Sequence, residues 1–272
     1  MAPFGKILLP VDLSERSLDA ARQAEVLARH FRSDVAVLHV VDPHEQESGR
    51  FEPGGVKAHE LEMLLARDFT EASITQIVRD GNPAREILDF AGSNRVDLIL
   101  MASHAYGPFQ SFLMGSVAAE VLRDATCPVW MTAHAQQGLP PMFRTVLCAV
   151  DLGPGTERVV DWASQFAAAF MARLFVLHVL RSFESEEQPD APDEWLSQVD
   201  RDELDKVRRT VGKDGQILFA GGDIPKAVCR QARELHADLV VIGRSPKADD
   251  AGTARTTCFT IIRESLCPVV SV

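Results

Sequence analysis

The chain has 272 residues, of which 46% are hydrophobic and 25% charged, with a formal net charge of −11. That length suggests two domains of ordinary size, and the composition excludes a disordered, collagenous or coiled-coil chain. The acidic balance argues against binding nucleic-acid backbones or anionic lipid, and no apolar run is long enough to span a membrane.

In chain order, apolar runs of strand length alternate with longer amphipathic segments. The opening, Met1 to Lys6, leads straight into an apolar run without the basic region of a secretion signal, so a cytoplasmic location is expected. Strands are predicted near 5–11, 34–41, 73–79, 96–103 and 127–133. They are dense in Val, Ile and Leu, as expected for strands covered on both faces. Helices are predicted near 14–31, 59–72, 82–94 and 115–124. Ser14 suits the N-cap of the first, and Asn82-Pro83 opens the third with proline in the first turn. A polar stretch from Asp42 to Ala58 reads as a solvated loop or a flap over a site.

The pattern then repeats. Ile7 to Leu13 returns as Val146 to Leu152, so that Asp12 corresponds to Asp151. Val37-Leu38-His39-Val40 returns as Val176-Leu177-His178-Val179, and Cys127-Pro128-Val129 as Cys267-Pro268-Val269. The spacing stays between 139 and 141 residues, which means two copies of one domain. The copies are placed at 1–135 and 143–272, with a short Gly/Pro-containing linker from His134 to Phe143. Strands of the second copy are predicted near 144–150, 173–180, 215–220, 237–243 and 267–272, with a second polar stretch from Arg181 to Pro192. Strand–helix alternation of this kind makes the chain α/β: two tandem, doubly wound, five-stranded parallel-sheet domains with right-handed crossovers.

Ligands of such sheets bind beyond the carboxyl ends of the strands, where strand order reverses. Asp12 ends the first strand, where it either accepts from a ribose hydroxyl or amino group or caps the first helix. Gly115-Ser116 opens an amphipathic helix whose free N–H groups suit an anion, although serine there also suits a plain N-cap. His39 and His178 lie inside apolar strands and read as core groups, while His104 lies in the loop after the fourth strand. The five cysteines are odd in number and lack C-x-x-C spacing, so they read as reduced thiols rather than a metal or redox site. No P-loop, dinucleotide-binding turn, nucleophile elbow or phospho-receiver set is present.

These segments together resemble the universal stress protein family over nearly the whole chain. The resemblance is carried by residues 7–15, Val37 to Val41, Asp80 to Ala84, Met101 to Val117, and Cys127-Pro128-Val129. It implies the adenine nucleotide α-hydrolase-like fold of that family, in two copies related by a pseudo-two-fold axis. Nucleotide-binding members carry a G-x2-G-x9-G-[ST] motif, whose spacing is kept here by Ala102, Ala105 and Gly115-Ser116, with alanine at the first two glycine positions. By resemblance, Pro10, Val11, Asp12, Val40 and Val41 face adenine and ribose. Met101, Ala102, Ser103, His104, Ala105, Gly115, Ser116 and Val117 face the phosphates.

In the second copy Arg255 and Thr256 take the places of Gly115 and Ser116, and Pro246 that of the second glycine, so this half is expected to be structural. The leading expectation is a stress or regulatory protein that holds at most one ATP with magnesium, in its first half, without high-turnover catalysis. A ligand-free scaffold is the alternative, and a slow ATPase or self-phosphorylating protein the third, with Asp12, Asp42 or His104 as its candidate bases. The two halves are expected to pair within the chain, which as a whole forms either a single tandem or a homodimer of tandems.

Overall fold

The structure is a computed structural model. It describes residues 4–12, 14–42, 73–102, 115–132, 142–180, 201–212, 215–244 and 251–272. They form two compact units, one ending at Thr132 and the other running from Met142 to Val272. The first contains β1 (Lys6–Val11), α1 (Glu15–Phe31), β2 (Asp34–Val41), β3 (Ile74–Asp80), α2 (Pro83–Ser93), β4 (Leu98–Ala102), α3 (Ser116–Asp124) and β5 (Val129–Thr132). Its strands are all parallel, in the order β3-β2-β1-β4-β5. The second contains β6 (Thr145–Val150), α4 (Thr156–Phe170), β7 (Arg173–Leu180), α5 (Arg201–Val211), β8 (Gln216–Gly221), α6 (Ile224–Glu234), β9 (Leu239–Ile242), α7 (Ala251–Glu264) and β10 (Val269–Ser271). Its parallel order is β10-β9-β6-β7-β8.

The expected five-stranded parallel sheet is therefore present in each unit, with its first and fourth strands adjacent. The helix expected near 59–72 and both long polar stretches beyond Asp42 and Leu180 lie outside the described residues. Two expectations need correction. The strand near 73–79 is not covered on both faces: no residue of β3 is buried, and Val78 is 47% exposed. The supposed linker also includes a core residue. Phe143 is 1% exposed and packs edge-on against Phe166 and Phe170, with ring centroids at 5.1 and 4.9 Å.

The same local devices build both units. Phe4 meets Phe31 edge-on at 4.4 Å, the counterpart of Phe143 on Phe170. Asp97 Oδ2 accepts from the N–H groups of Gly5 and Lys6 at 2.8 and 2.9 Å, which ties the entry of β4 to that of β1. Asp238 Oδ2 does the same for Arg144 and Thr145 at 2.6 and 3.0 Å. These carboxylates also explain why β4 and β9 begin at Leu98 and Leu239, later than hydrophobicity alone suggests. Helix starts follow their caps: Ser14 accepts from the Ser17 N–H, Asn82 from that of Arg85, and Asp223 from that of Lys226. α1 buries an alanine-rich stripe, Ala20, Ala21, Ala24 and Ala28 with Leu27, which lets the helix lie close to the sheet. Gln23 on that buried face accepts from Trp130 Nε1 at 2.8 Å, so neither polar group is left unpaired.

Candidate functional site

In each sheet the chain leaves the first strand for a neighbour on one side and reaches the fourth on the other. The carboxyl ends of β1 and β4, and of β6 and β9, are thus the switch points of their units.

In the first unit this end gathers Asp12, Val41, Ala102 and, from α3, the Gly115-Ser116 turn. Asp12 is exposed and serves its own helix first. Its Oδ1 accepts from the N–H and Oγ of Ser14 at 3.0 and 2.6 Å and from Ser17 Oγ, while its N–H donates to Ser17 Oγ at 3.1 Å. Oδ2 takes no hydrogen bond among the described residues, so it is the oxygen available to a ligand. Oδ1 is thus spent on the turn that carries the Ser14 cap, and a ribose hydroxyl or amino group would have Oδ2 to meet. The plain serine cap of α3 is not formed: Gly115 is the N-cap residue, no side chain among the described residues caps the helix, and Ser116 is exposed in its first turn. The first N–H groups of α3 are thus without an oxygen acceptor from a capping side chain, the arrangement that favours an anion.

The other predicted residues divide by burial. Pro10 and Val40 are half-buried, and Ala102 and Val117 are partly exposed. Val11 and Met101 are buried, so they reach the switch point through the backbone and not the side chain. Ser103, His104 and Ala105 lie outside the described residues. His39 is 3% exposed and its Nδ1 stands 2.9 Å from the Val11 carbonyl oxygen, so Nδ1 carries the proton. Its Nε2 is buried and has no hydrogen-bond partner among the described residues.

The second unit repeats this scaffold and departs from it at the site. Asp151 Oδ1 accepts from the Gly153 N–H at 3.0 Å and from Thr156 Oγ1 at 3.4 Å. His178 Nδ1 donates to the Val150 carbonyl at 3.0 Å. Burial holds the His178 imidazolium below its ordinary pKa, partly offset by that hydrogen bond and by Asp151. The helix after β9 differs. In the first unit Gly115-Ser116 is where α3 begins; the corresponding Arg255 and Thr256 lie inside α7, which starts more than a turn earlier at Ala251. Interior N–H groups of a helix are bonded to its own carbonyls, so that turn offers no donors to a phosphate. The N–H of Arg244, just past β9, is likewise spent on the Val272 carbonyl at 2.9 Å.

What the second unit has instead is a cavity of about 320 Å³ between the ends of β6 and β9, the start of α6 and one face of α7. Sequence reasoning missed it, because most of its wall is made of residues such as Val159, Ile242 and Ile261 that read as ordinary core. All five cysteines are reduced thiols. Burial pushes the thiols of Cys229, Cys258 and Cys267 up to about 11 and that of Cys148 higher still, so these four are poor nucleophiles. Among the described residues there is no cluster of metal-ligating side chains, and no helix is long and apolar enough to cross a membrane.

Comparison with known proteins agrees with this architecture. The family model described as "Universal stress protein family" matches residues 3–133 and again 142–272. Universal stress protein MJ0531 of Methanocaldococcus jannaschii is 32% identical over 137 residues, 46% of this chain and 80% of that protein. Universal stress protein YxiE of Bacillus subtilis is 30% identical over 146 residues, 46% of this chain and 97% of that protein. Among solved structures, a universal stress protein from Archaeoglobus fulgidus superposes with a TM-score of 0.71, covering 99% of this chain and 96% of its own at 23% identity. The chain belongs to the universal stress protein family and carries two copies of that family's domain in tandem.

Proposed function

We propose that this protein is a cytoplasmic stress or regulatory protein that holds one adenine nucleotide, ATP with magnesium, in its first unit and performs no high-turnover chemistry. The observation that carries this reading is the uncapped N-terminus of α3 at the same sheet end as the spare Oδ2 of Asp12. An acceptor oxygen and a cluster of free N–H groups suit the two ends of a nucleotide: ribose hydroxyls donate to the carboxylate, and phosphate oxygens accept from the helix. Pro10, Val11, Val40 and Val41 would border the base and sugar; Ala102, Ser103, His104, Ala105, Ser116 and Val117 would border the phosphates. No cluster of protein ligands awaits magnesium among the described residues, so the ion would arrive on the triphosphate.

Calorimetry with ATP and magnesium tests this. One site per chain is expected. Gly115→Arg should abolish it, since the new side chain stands where the phosphates approach. Ala102→Gly with Ala105→Gly should tighten it about tenfold, because removing two methyl groups widens the approach to the backbone. Two equivalent sites, or one that survives Gly115→Arg, would overturn the proposal. Absence of binding even in the glycine-restored variant would favour a ligand-free scaffold.

A further inference from the structure

We propose that the outer edge of β3 is a pairing surface for a second copy of this chain, whose own β3 adds to it antiparallel and joins the two first-unit sheets into one. This goes beyond the nucleotide reading of the first unit and does not depend on it.

β3 ends the sheet of its unit, with β2 as its neighbour among the described residues. In a parallel ladder the N–H and C=O groups of one residue point to the same side. The Val35 N–H donates to the Ser73 carbonyl at 2.8 Å and the Gly81 N–H to the Val41 carbonyl at 3.1 Å, so Thr75, Ile77 and Arg79 between them turn inward to β2. Ile74, Gln76 and Val78 turn their N–H and C=O groups outward, where they take no hydrogen bond among the described residues. A sheet edge of this kind is ordinarily guarded by a charge, a proline or a bulge. Residues 74–78, Ile-Thr-Gln-Ile-Val, carry neither charge nor proline, and the pairing with β2 runs unbroken from Ile74 to Asp80. Arg79, the nearest cation in the strand, is drawn back onto α2: its Nη1 donates to Glu86 Oε2 at 3.0 Å, and its guanidinium lies 5.2 Å from the centre of the Phe90 ring.

The residues of this edge select its occupant. On either side of Gln76 stands a β-branched residue, Thr75 or Ile77, and beyond it another, Ile74 or Val78. A second β3 laid antiparallel about a two-fold axis at Gln76 therefore sets Ile74 against Val78, Thr75 against Ile77, and Gln76 against Gln76. In that register the outward residues face one another, and each of their pairs exchanges two N–H···O bonds, about six in all. The Ile–Val pairs and the paired amides of Gln76 add side-chain contacts to the ladder. An unrelated extended peptide supplies the backbone bonds without this match. The contact is isologous, so it closes at two chains. The second unit has no equivalent edge. Its registers set Phe219 beside His178 as Val78 stands beside His39, so Gly215 to Phe219 correspond to Ile74 to Val78. That run is not symmetrical about its centre, Ile217 to Phe219 are half-buried, and Ala220 and Gly221 are buried. Chains therefore pair once instead of growing into a fibre.

Sedimentation velocity of the full-length chain over a range of concentrations tests this, together with amide exchange followed by NMR. The parent chain should pass from monomer to dimer as concentration rises. The dimer should protect the amides of Ile74, Gln76 and Val78, which β2 leaves open, while those of Thr75, Ile77 and Arg79 are protected in both states. Gln76→Lys sets like charges directly opposite each other and should weaken the dimer at least about tenfold, and Gln76→Glu should do the same. An equimolar mixture of the two variants should restore the dimer, which misfolded chains would not. Val78→Pro removes an outward donor that β2 does not use, so the monomer should keep its fold and lose the dimer. A parent chain that stays monomeric overturns the proposal, whether its edge is bare or taken by an unrelated strand. So does a dimer that survives both Gln76→Lys and Val78→Pro, or one that leaves the amides of Ile74, Gln76 and Val78 unprotected.

Discussion

α3 and α7 occupy the same place in their units and begin at different points, and that difference decides what each sheet end can hold. α3 starts at the Gly115-Ser116 turn, and no side chain among the described residues caps its first N–H groups. α7 runs through the corresponding Arg255-Thr256, which places those donors within a helix, and an apolar cavity stands below Asp151. Apart from this helix start the two units share their contacts almost residue for residue: the edge-on phenylalanines, the Asp97 and Asp238 clamps, and the histidines on Val11 and Val150. The phenylalanine and carboxylate contacts lie at the amino ends of the strands, so the start of the helix after the fourth strand can shift without disturbing them.

The largest expected effect tests whether the repeated contacts support each unit separately. Phe143→Ala removes a ring fully enclosed by Phe166 and Phe170, and truncation of a buried phenylalanine costs about 3–5 kcal/mol. Amide hydrogen exchange should show that loss of protection in β6 and β7 with β1 and β2 unchanged, and Phe4→Ala should give the mirror image. Equal losses in both units from either substitution would break the comparison.

The fold was legible because its signals are local and repeated. Ser14, Asn82 and the apolar runs of β1, β2, β6 and β7 each specify an element without reference to the rest of the chain, and the Asp12–Asp151 correspondence states the domain count. Placement in the sheet is not local, which is why the sequence did not show that β3 is exposed where β1 is buried. The site was half legible. Asp12 and Gly115 are marked by position and residue type. The division of labour between the two oxygens of Asp12 needed the positions of Ser14 and Ser17, and the cavity of the second unit is a space between side chains, which no motif encodes.

A smaller effect is expected at the carboxylate clamps. Asp97→Ala and Asp238→Ala each free two strand N–H groups, and because Asp97 is exposed and Asp238 only half-buried the cost should be about 1 kcal/mol. The two values, read from urea unfolding followed by exchange in each unit, should agree within about 0.5 kcal/mol. A cost confined to one unit would mean that the repeated geometry carries unequal weight.

The smallest effect concerns His178. Its imidazole lies half-buried in β7, donates through Nδ1 to the Val150 carbonyl, and meets the Phe219 ring edge-on at 6.3 Å. Desolvation holds its folded pKa below the unfolded value of about 6.5. Between those two values the unfolded chain binds a proton that the folded chain does not. Stability of the second unit should therefore be fully present above about pH 6.5 and decline as pH falls through the folded pKa. His178→Phe removes the titrating group and should flatten that part of the profile, at a cost of about 1 kcal/mol at neutral pH for the hydrogen bond lost at Val150. Exchange rates in β6 and β7 measured from pH 7.5 to 5, corrected for the intrinsic pH dependence of exchange, give both quantities. A profile as steep in His178→Phe as in the parent chain would assign the acid sensitivity to other groups.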